Sequence, residues 1–299
     1  MGRHRDVAPK DIKVGTIGVN PWGSIRIILC GISYSMNIIE SIILGIIQGI
    51  TEFLPVSSSA HLVFIQNYFC ITEPQVFYDC LLHMATLAVI IVYFREDIKK
   101  IFLNSYKIKE VKTNQFSRVF WLIVAGTVPT VIIGYFFKDT IEAVFGKIMI
   151  VAVLLMITGV IVFISDRIGN NSKREMNTGI RDALIIGFAQ GIAILPGISR
   201  SGITIVACII LGLNRQWSAK YSLLLSVPAI LGATVLKLKD AGFIVQSGMV
   251  ITYLSGIITA FIVGYLALKV FIRVLTERKL GYFAYYCWLV GLMVILSQI

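Results

Sequence analysis

Gly45-Ile-Ile-Gln48-Gly-Ile-Thr-Glu52-Phe-Leu-Pro55-Val-Ser57-Ser58-Ser-Ala-His61 is apolar enough to enter a membrane and too interrupted to cross it as one helix. It lies in an apolar region, residues 38–69, that reads as a half-helix, a Pro/Ser break and a second half-helix. A second region, residues 183–213, has the same form. There Gly187-Phe-Ala-Gln190-Gly-Ile192 repeats Gly45-Ile-Ile-Gln48-Gly-Ile50, and Leu195-Pro196 with Ser199 and Ser201 repeats Leu54-Pro55 with its serines. Broken backbone at membrane depth is tolerated only where it is buried in protein or lines a wet cavity. Three apolar stretches follow the first region (76–94, 119–137, 148–164) and three follow the second (217–236, 248–268, 282–299). Each is close to the ~20 residues that cross ~30 Å of hydrocarbon. The expected fold is therefore all-α, a polytopic membrane protein with six full spans and two re-entrant helical hairpins. Its two halves, about 36–165 and 178–299, form an inverted-topology repeat within a single membrane domain, 36–299.

Composition agrees. Of 299 residues, 57% are hydrophobic and 14% charged, too few charges to cover a soluble globule of this size. The net charge of +11 follows the connections between spans. Connections 95–118, 166–182, 214–220 and 269–279 together hold seventeen Lys and Arg, against four in 138–147 and 237–247. That alternation is the positive-inside pattern. The basic excess is thus a topology signal, and no nucleic-acid partner is expected. Five cysteines, widely spread and without C-x-x-C, read as buried free thiols.

With the basic connections inside, the first broken segment enters and leaves from the outer face and the second from the cytoplasmic face. Two such hairpins meet near the midplane, where half-helix amino termini suit an anion. The ionisable groups at that depth are Glu52, His61, His83 and Arg200, with Asp79 nearer an end. Charges in hydrocarbon are costly and mark function. Gln48 and Glu52 are four apart on one helical face. Ser58 and His61 are three apart, a spacing that suits a hydroxyl nucleophile beside a general base. Arg200, flanked by Ser199 and Ser201 after Pro196-Gly197, suits bidentate phosphate binding. His83, on an otherwise apolar span, reads as a packed neutral histidine, and Asp79 as an interfacial carboxylate.

The stretches from Gln48 to His61 and from Pro196 to Thr204 resemble the undecaprenyl-pyrophosphate phosphatase family, the bacterial bacitracin-resistance membrane phosphatases, and the resemblance extends over about residues 36–299. It implies that undecaprenyl pyrophosphate is cleaved to undecaprenyl phosphate and inorganic phosphate, recycling the lipid carrier for cell-wall synthesis. It implies catalytic roles for Glu52, Ser58 and His61, phosphate binding by Ser199, Arg200, Ser201 and Thr204 with Ser57 and Gln48 as further candidates, and Mg²⁺ or Ca²⁺ held by Glu52. Many members carry Glu where Gln48 stands. The implied setting is the bacterial plasma membrane with the site open to the outer face; the oligomeric state stays open, a homodimer included. Two mechanisms remain open at this point: attack by Ser58 assisted by His61, or water activated by His61. A lipid-phosphate flippase using the same cavity is the alternative from another class.

Residues 1–35 match nothing in that family and carry five Lys/Arg with no adequate h-region. They are expected to be disordered or not native, with Met36 as the true start.

Overall fold

The computed structural model describes residues 36–71, 75–168, 172–241, 248–277 and 279–298. The expectations for residues 1–35 lie outside the described residues. Twelve α-helices are described: α1 (Ile38–Phe53), α2 (Ser58–Tyr68), α3 (Gln75–Tyr93), α4 (Arg95–Leu103), α5 (Gln115–Phe136), α6 (Lys138–Phe145), α7 (Ile148–Ser165), α8 (Ile180–Ile192), α9 (Arg200–Ile210), α10 (Arg215–Ala241), α11 (Val250–Thr276) and α12 (Gly281–Gln298). No named β-strand occurs among the described residues. The all-α expectation holds.

Six of these helices, α3, α5, α7, α10, α11 and α12, are long and apolar enough to cross a bilayer. They fall on the six expected stretches, with α10 and α11 running longer, at 27 residues each. The outward faces carry the same message. On α7, Ile150, Val153, Ile157, Val160 and Ile164 are 40–49% exposed while Val151, Ala152, Leu155 and Val162 are fully buried. An apolar stripe at helical spacing on the outside belongs against lipid, since water tolerates no such continuous patch.

Two of the polar connections contain the short helices α4 and α6. In α4, Glu96 and Asp97 occupy the first turn and Lys100 the last, matching the helix dipole, and Ile101 is buried. Nearby polar contacts bind neighbouring connections together. Arg118 donates to the Thr178 carbonyl at 2.7 Å, Trp217 Nε1 to Thr178 Oγ1 at 2.9 Å, and Lys220 Nζ to Asp97 at 2.7 Å.

Each interrupted segment forms two half-helices. α1 starts on a capping box, Asn37 Oδ1 accepting from Glu40 N at 3.0 Å and Glu40 Oε2 from Asn37 N at 2.9 Å. It ends where Pro55 forces its predecessor out of the helical region: Leu54 sits at φ −70°, ψ 147°. α9 restarts on Ser199, whose Oγ accepts from Gly202 N at 3.1 Å.

α1 lies along α11, α8 along α5, α7 against α12, and α3 against α10. The repeated glycines allow the first two approaches. A Cβ on Gly45 would stand 2.5 Å from the Gly256 carbonyl oxygen, and one on Gly187 would collide with the Gly126 carbonyl. Cys80, Cys208 and Cys287 are buried and free as expected, whereas Cys70 departs from that expectation and is disulfide-bonded.

Candidate active site

The two breaks meet. Ser201 Oγ donates to the Leu54 carbonyl at 3.2 Å, and a Cβ on Gly202 would lie 3.2 Å from Pro55 Cβ. This brings the last turn of α1 and the first turns of α2 and α9 to one place, where Glu52 is the hub. Its side chain is 2% exposed. Arg200, the first residue of α9, donates through Nη2 to Glu52 Oε1. Ser58, the first residue of α2, donates to Oε2 at 2.6 Å. Gln48, one turn earlier on α1, donates through Nε2 to the same oxygen at 3.0 Å and to Thr86 Oγ1 at 3.2 Å.

A buried carboxylate that must stay charged needs this set of donors, because stripping it of water costs several kcal/mol. The pairing consumes only part of what the donors offer. Arg200 Nη1 and Gln48 Oε1 are buried and have no hydrogen-bond partner. An unsatisfied guanidinium nitrogen beside two helix amino termini is an arrangement that an anion completes.

The turn holding Ser58 is strained. Ser57 has φ +64°, one of two non-glycine positive-φ residues among those described. That left-handed conformation costs of order 1–3 kcal/mol and persists only where surroundings over-determine it. Ser57 Oγ caps α2, accepting from Ala60 N at 3.4 Å. The Arg200 loop is held by Thr158 of α7, which donates to the Gly197 carbonyl at 2.8 Å and accepts from Ser199 N at 3.0 Å.

Of the residues singled out in the sequence, Gln48, Glu52, Ser58 and Arg200 form the cluster. Ser57 and Ser199 are helix caps beside it. The Ser201 hydroxyl ties the two breaks, and Thr204, a turn behind, is buried with its hydroxyl on the Arg200 carbonyl at 2.7 Å and on Ser222 Oγ at 2.5 Å. Ser58 and His61, whose spacing suits a nucleophile beside a base, do not hydrogen-bond each other. His61 Nδ1 lies 2.8 Å from the Ser57 carbonyl and Nε2 2.9 Å from the Tyr286 hydroxyl, while Ser58 donates to Glu52. The reason is local: a helix whose first turn contains both residues points the imidazole back at its own N-cap carbonyl, four residues earlier.

His83 is the residue sequence reasoning undervalued. Its Nε2 lies 3.7 Å from Glu52 Oε2, and its Nδ1 is 2.7 Å from the Asp79 carbonyl. The available signal was Thr86 three residues on, which places both polar groups on one face of α3. Tyr286, in an apolar span, gave no signal at all.

Among the described residues no group of three His, Cys, Asp or Glu side chains gathers as a metal cage. The oxygen donors here are one carboxylate, the unpartnered Gln48 Oε1 and the Ser58 hydroxyl. A hard divalent cation such as Mg²⁺ is commonly held by one or two carboxylates plus substrate phosphate oxygens and water. Glu52 and Gln48 Oε1 are oxygen donors of the kind such an ion takes, too few to enclose it by themselves.

The family described as bacitracin resistance protein BacA matches residues 41–293 of this chain. Curated relatives named undecaprenyl-diphosphatase include one from Methanobrevibacter smithii, 40% identical over 275 residues, covering 88% of this chain and 99% of the relative. One from Carboxydothermus hydrogenoformans is 41% identical over 268 residues, covering 88% and 98%. A third, from Halothermothrix orenii, is 42% identical over 265 residues, covering 87% and 98%.

Proposed function

The chain belongs to the BacA family, and we propose that it hydrolyses undecaprenyl pyrophosphate to undecaprenyl phosphate and inorganic phosphate. One observation carries the reading. A buried Glu52–Arg200 pair holds the Ser58 hydroxyl on the carboxylate and leaves a second guanidinium nitrogen unpartnered. This is a nucleophile, its base and an anion donor in one place.

The isoprenoid tail lies among the apolar helices and the pyrophosphate reaches the cluster. Arg200 Nη1 and the amino termini of α2 and α9 donate to the terminal phosphate. Ser58 Oγ attacks its phosphorus while its proton passes to Glu52 Oε2, 2.6 Å away. The bond to the bridging oxygen breaks, and undecaprenyl phosphate departs with the electron pair. Water then attacks the phosphoserine, Glu52 returns the proton to Ser58 Oγ, and inorganic phosphate leaves. Charge stabilisation at the transferring group is the main contribution in such reactions. In this reading Glu52, rather than His61, is the base.

The Glu52–Arg200 pair is neutral overall, so a multiply charged pyrophosphate needs further positive charge. Glu52 and Gln48 Oε1 would hold a divalent cation, Mg²⁺ or Ca²⁺, which supplies that neutralisation when bound.

The wider reading is an inverted-topology repeat with two re-entrant hairpins in the bacterial plasma membrane, open to the outer face. Exchanging α1 with α8, α3 with α10, α5 with α11 and α7 with α12 maps the packing pairs α1–α11 and α8–α5 onto each other and returns α7–α12 and α3–α10 to themselves, which supports the repeat. The charge asymmetry of the connections supports the orientation. The flippase alternative shares the architecture but gives the Ser58–Glu52 bond no work. Protein purified in detergent, where no translocation occurs, should release phosphate from undecaprenyl pyrophosphate with Mg²⁺ or Ca²⁺ and lose that activity in chelator. Failure to release phosphate would reject the hydrolase reading.

A further inference from the structure

Ser58 is useful only if the strained turn before it holds its shape, and three side chains from outside the cluster bear on that turn. Ser57, at φ +64°, presents its carbonyl to His61, which donates to it through the backbone N–H at 3.3 Å and stands 2.8 Å away through Nδ1. A carbonyl only accepts, so Nδ1 carries the hydrogen. In the neutral imidazole Nε2 is then an acceptor, and the Tyr286 hydroxyl, 2.9 Å away, is its donor. The two rings lie parallel, 7° apart in plane, with centroids 5.6 Å apart. The next residue of α12, Cys287, points its Sγ at the Pro55 carbonyl at 3.7 Å.

α12 packs on α7, and α7 supplies Thr158, which fastens the opposite loop. The α7–α12 pair therefore braces both breaks from behind, the Arg200 loop through Thr158 and the Ser58 loop through Tyr286 and His61.

We propose that Tyr286 is a positioning residue for the hydrolysis, acting through His61, and that His61 clamps the Ser57–Ser58 turn rather than taking a proton from Ser58. The proposal rests on the phosphatase reading above. With both ring nitrogens committed, His61 has none left for the nucleophile. Tyr286 fixes the tautomer and plane of the ring, the ring holds the Ser57 carbonyl, and the carbonyl's orientation sets where Ser58 Oγ points.

Two measurements test this. The first is kinetic, with undecaprenyl pyrophosphate and Mg²⁺ in detergent, comparing His61→Asn, His61→Ala, Tyr286→Phe and the double variant His61→Asn/Tyr286→Phe. Asparagine keeps an N–H where Nδ1 stands but cannot act as an imidazole base. A clamp predicts that His61→Asn stays within about tenfold of wild-type kcat while His61→Ala falls about a hundredfold through misplacement of Ser58. Tyr286→Phe should lower kcat about three- to tenfold, the worth of one neutral hydrogen bond, with KM unchanged. It should have no further effect in the His61→Asn background, because its path runs through the ring. Loss in His61→Asn of the ~10²–10⁴-fold that a general base contributes overturns the proposal. So does a Tyr286→Phe variant indistinguishable from wild type.

The second measurement needs no turnover. The chain has three histidines, so ¹⁵N-histidine labelling gives a sparse spectrum. The signal lost in His61→Asn should report hydrogen on Nδ1 and should shift in Tyr286→Phe. A His61 carrying hydrogen on Nε2 alone overturns the assignment whatever the kinetics. An inactive wild type would count against the phosphatase reading and leave this spectrum to decide the clamp.

Discussion

Replacing Arg200 by alanine leaves the Glu52 carboxylate, with a side chain only 2% exposed, without its cationic partner. Ser58 and Gln48 still donate to it, but both are neutral, and His83 Nε2, 3.7 Å away, is a counter-charge only when protonated. Removing one partner of a buried ion pair typically costs about 3–5 kcal/mol, because the remaining charge has neither water nor counter-charge. Arg200→Ala should therefore lower the melting temperature in detergent by on the order of 10 °C. The reverse truncation is milder. Arg200 is 20% exposed and can turn toward water, so Glu52→Gln should cost about 1–3 kcal/mol, the price of donors left unmatched. In Glu52→Gln/Arg200→Ala neither charge remains, and the combined loss should fall short of the sum by about 2 kcal/mol. Intrinsic fluorescence during heating, in one detergent for all four proteins, reads the cycle. Activity follows a different rule: each single variant loses at least about 10²–10³-fold in kcat, and the double variant loses little more, since the pair works as a unit. Additive melting shifts together with an active Arg200→Ala would refute both the burial argument and the site.

Ser58→Ala removes one donor to the buried Glu52 carboxylate, which should cost about 1–3 kcal/mol of stability, and should lose about 10³-fold or more in phosphate release; retention of a tenth of the activity removes Ser58 as nucleophile. Gln48→Glu adds a second carboxylate beside Glu52, and the Mg²⁺ concentration for half-maximal activity should fall by about tenfold. A metal titration superimposable on wild type would place the cation away from Gln48. Thr158→Val removes the bonds to the Gly197 carbonyl and Ser199 N–H at constant shape, which should cost about 1–3 kcal/mol and lower kcat more than it raises KM. An unchanged kcat would mean that the Arg200 loop holds itself.

The spans were legible because hydropathy over ~20 residues is a sum, insensitive to detail. The two breaks were legible because Pro55 and the Pro196-Gly197 pair interrupt otherwise apolar runs, and charged groups left in such runs must find partners. That made Glu52 and Arg200 visible, and the expectation that the two breaks enter from opposite faces put them at one depth. What sequence spacing could not say is where a side chain in the first turn of a helix points. Ser58 and His61 are three apart, which suits a pair, but the backbone of α2 offers His61 the Ser57 carbonyl at closer reach. His83 and Tyr286 were hidden for a different reason. Each comes from a span distant in sequence, and its contact depends on helix rotation set by packing. The helices α4 and α6 were missed because eight or nine residues are too short for a hydropathy window.

The site also explains why the chain needs two broken segments rather than one. Behind equivalent capping serines, Ser57 and Ser199, the second half-helices begin with different chemistry: a hydroxyl at Ser58 and a guanidinium at Arg200. At the same offset that aligns Gln48 with Gln190, Glu52 aligns with Ile194. One segment alone would bury an acid with no counter-charge, at a cost of several kcal/mol, and the other would hold a partly exposed cation with no acid, at a smaller cost. Brought together, each charge makes the other tolerable at depth, and the surplus donor on the guanidinium remains for a third, anionic party. A pair of identical segments could not do this, since like would face like. On the repeat reading, divergence between the halves is therefore what turned a structural fold into a chemical site.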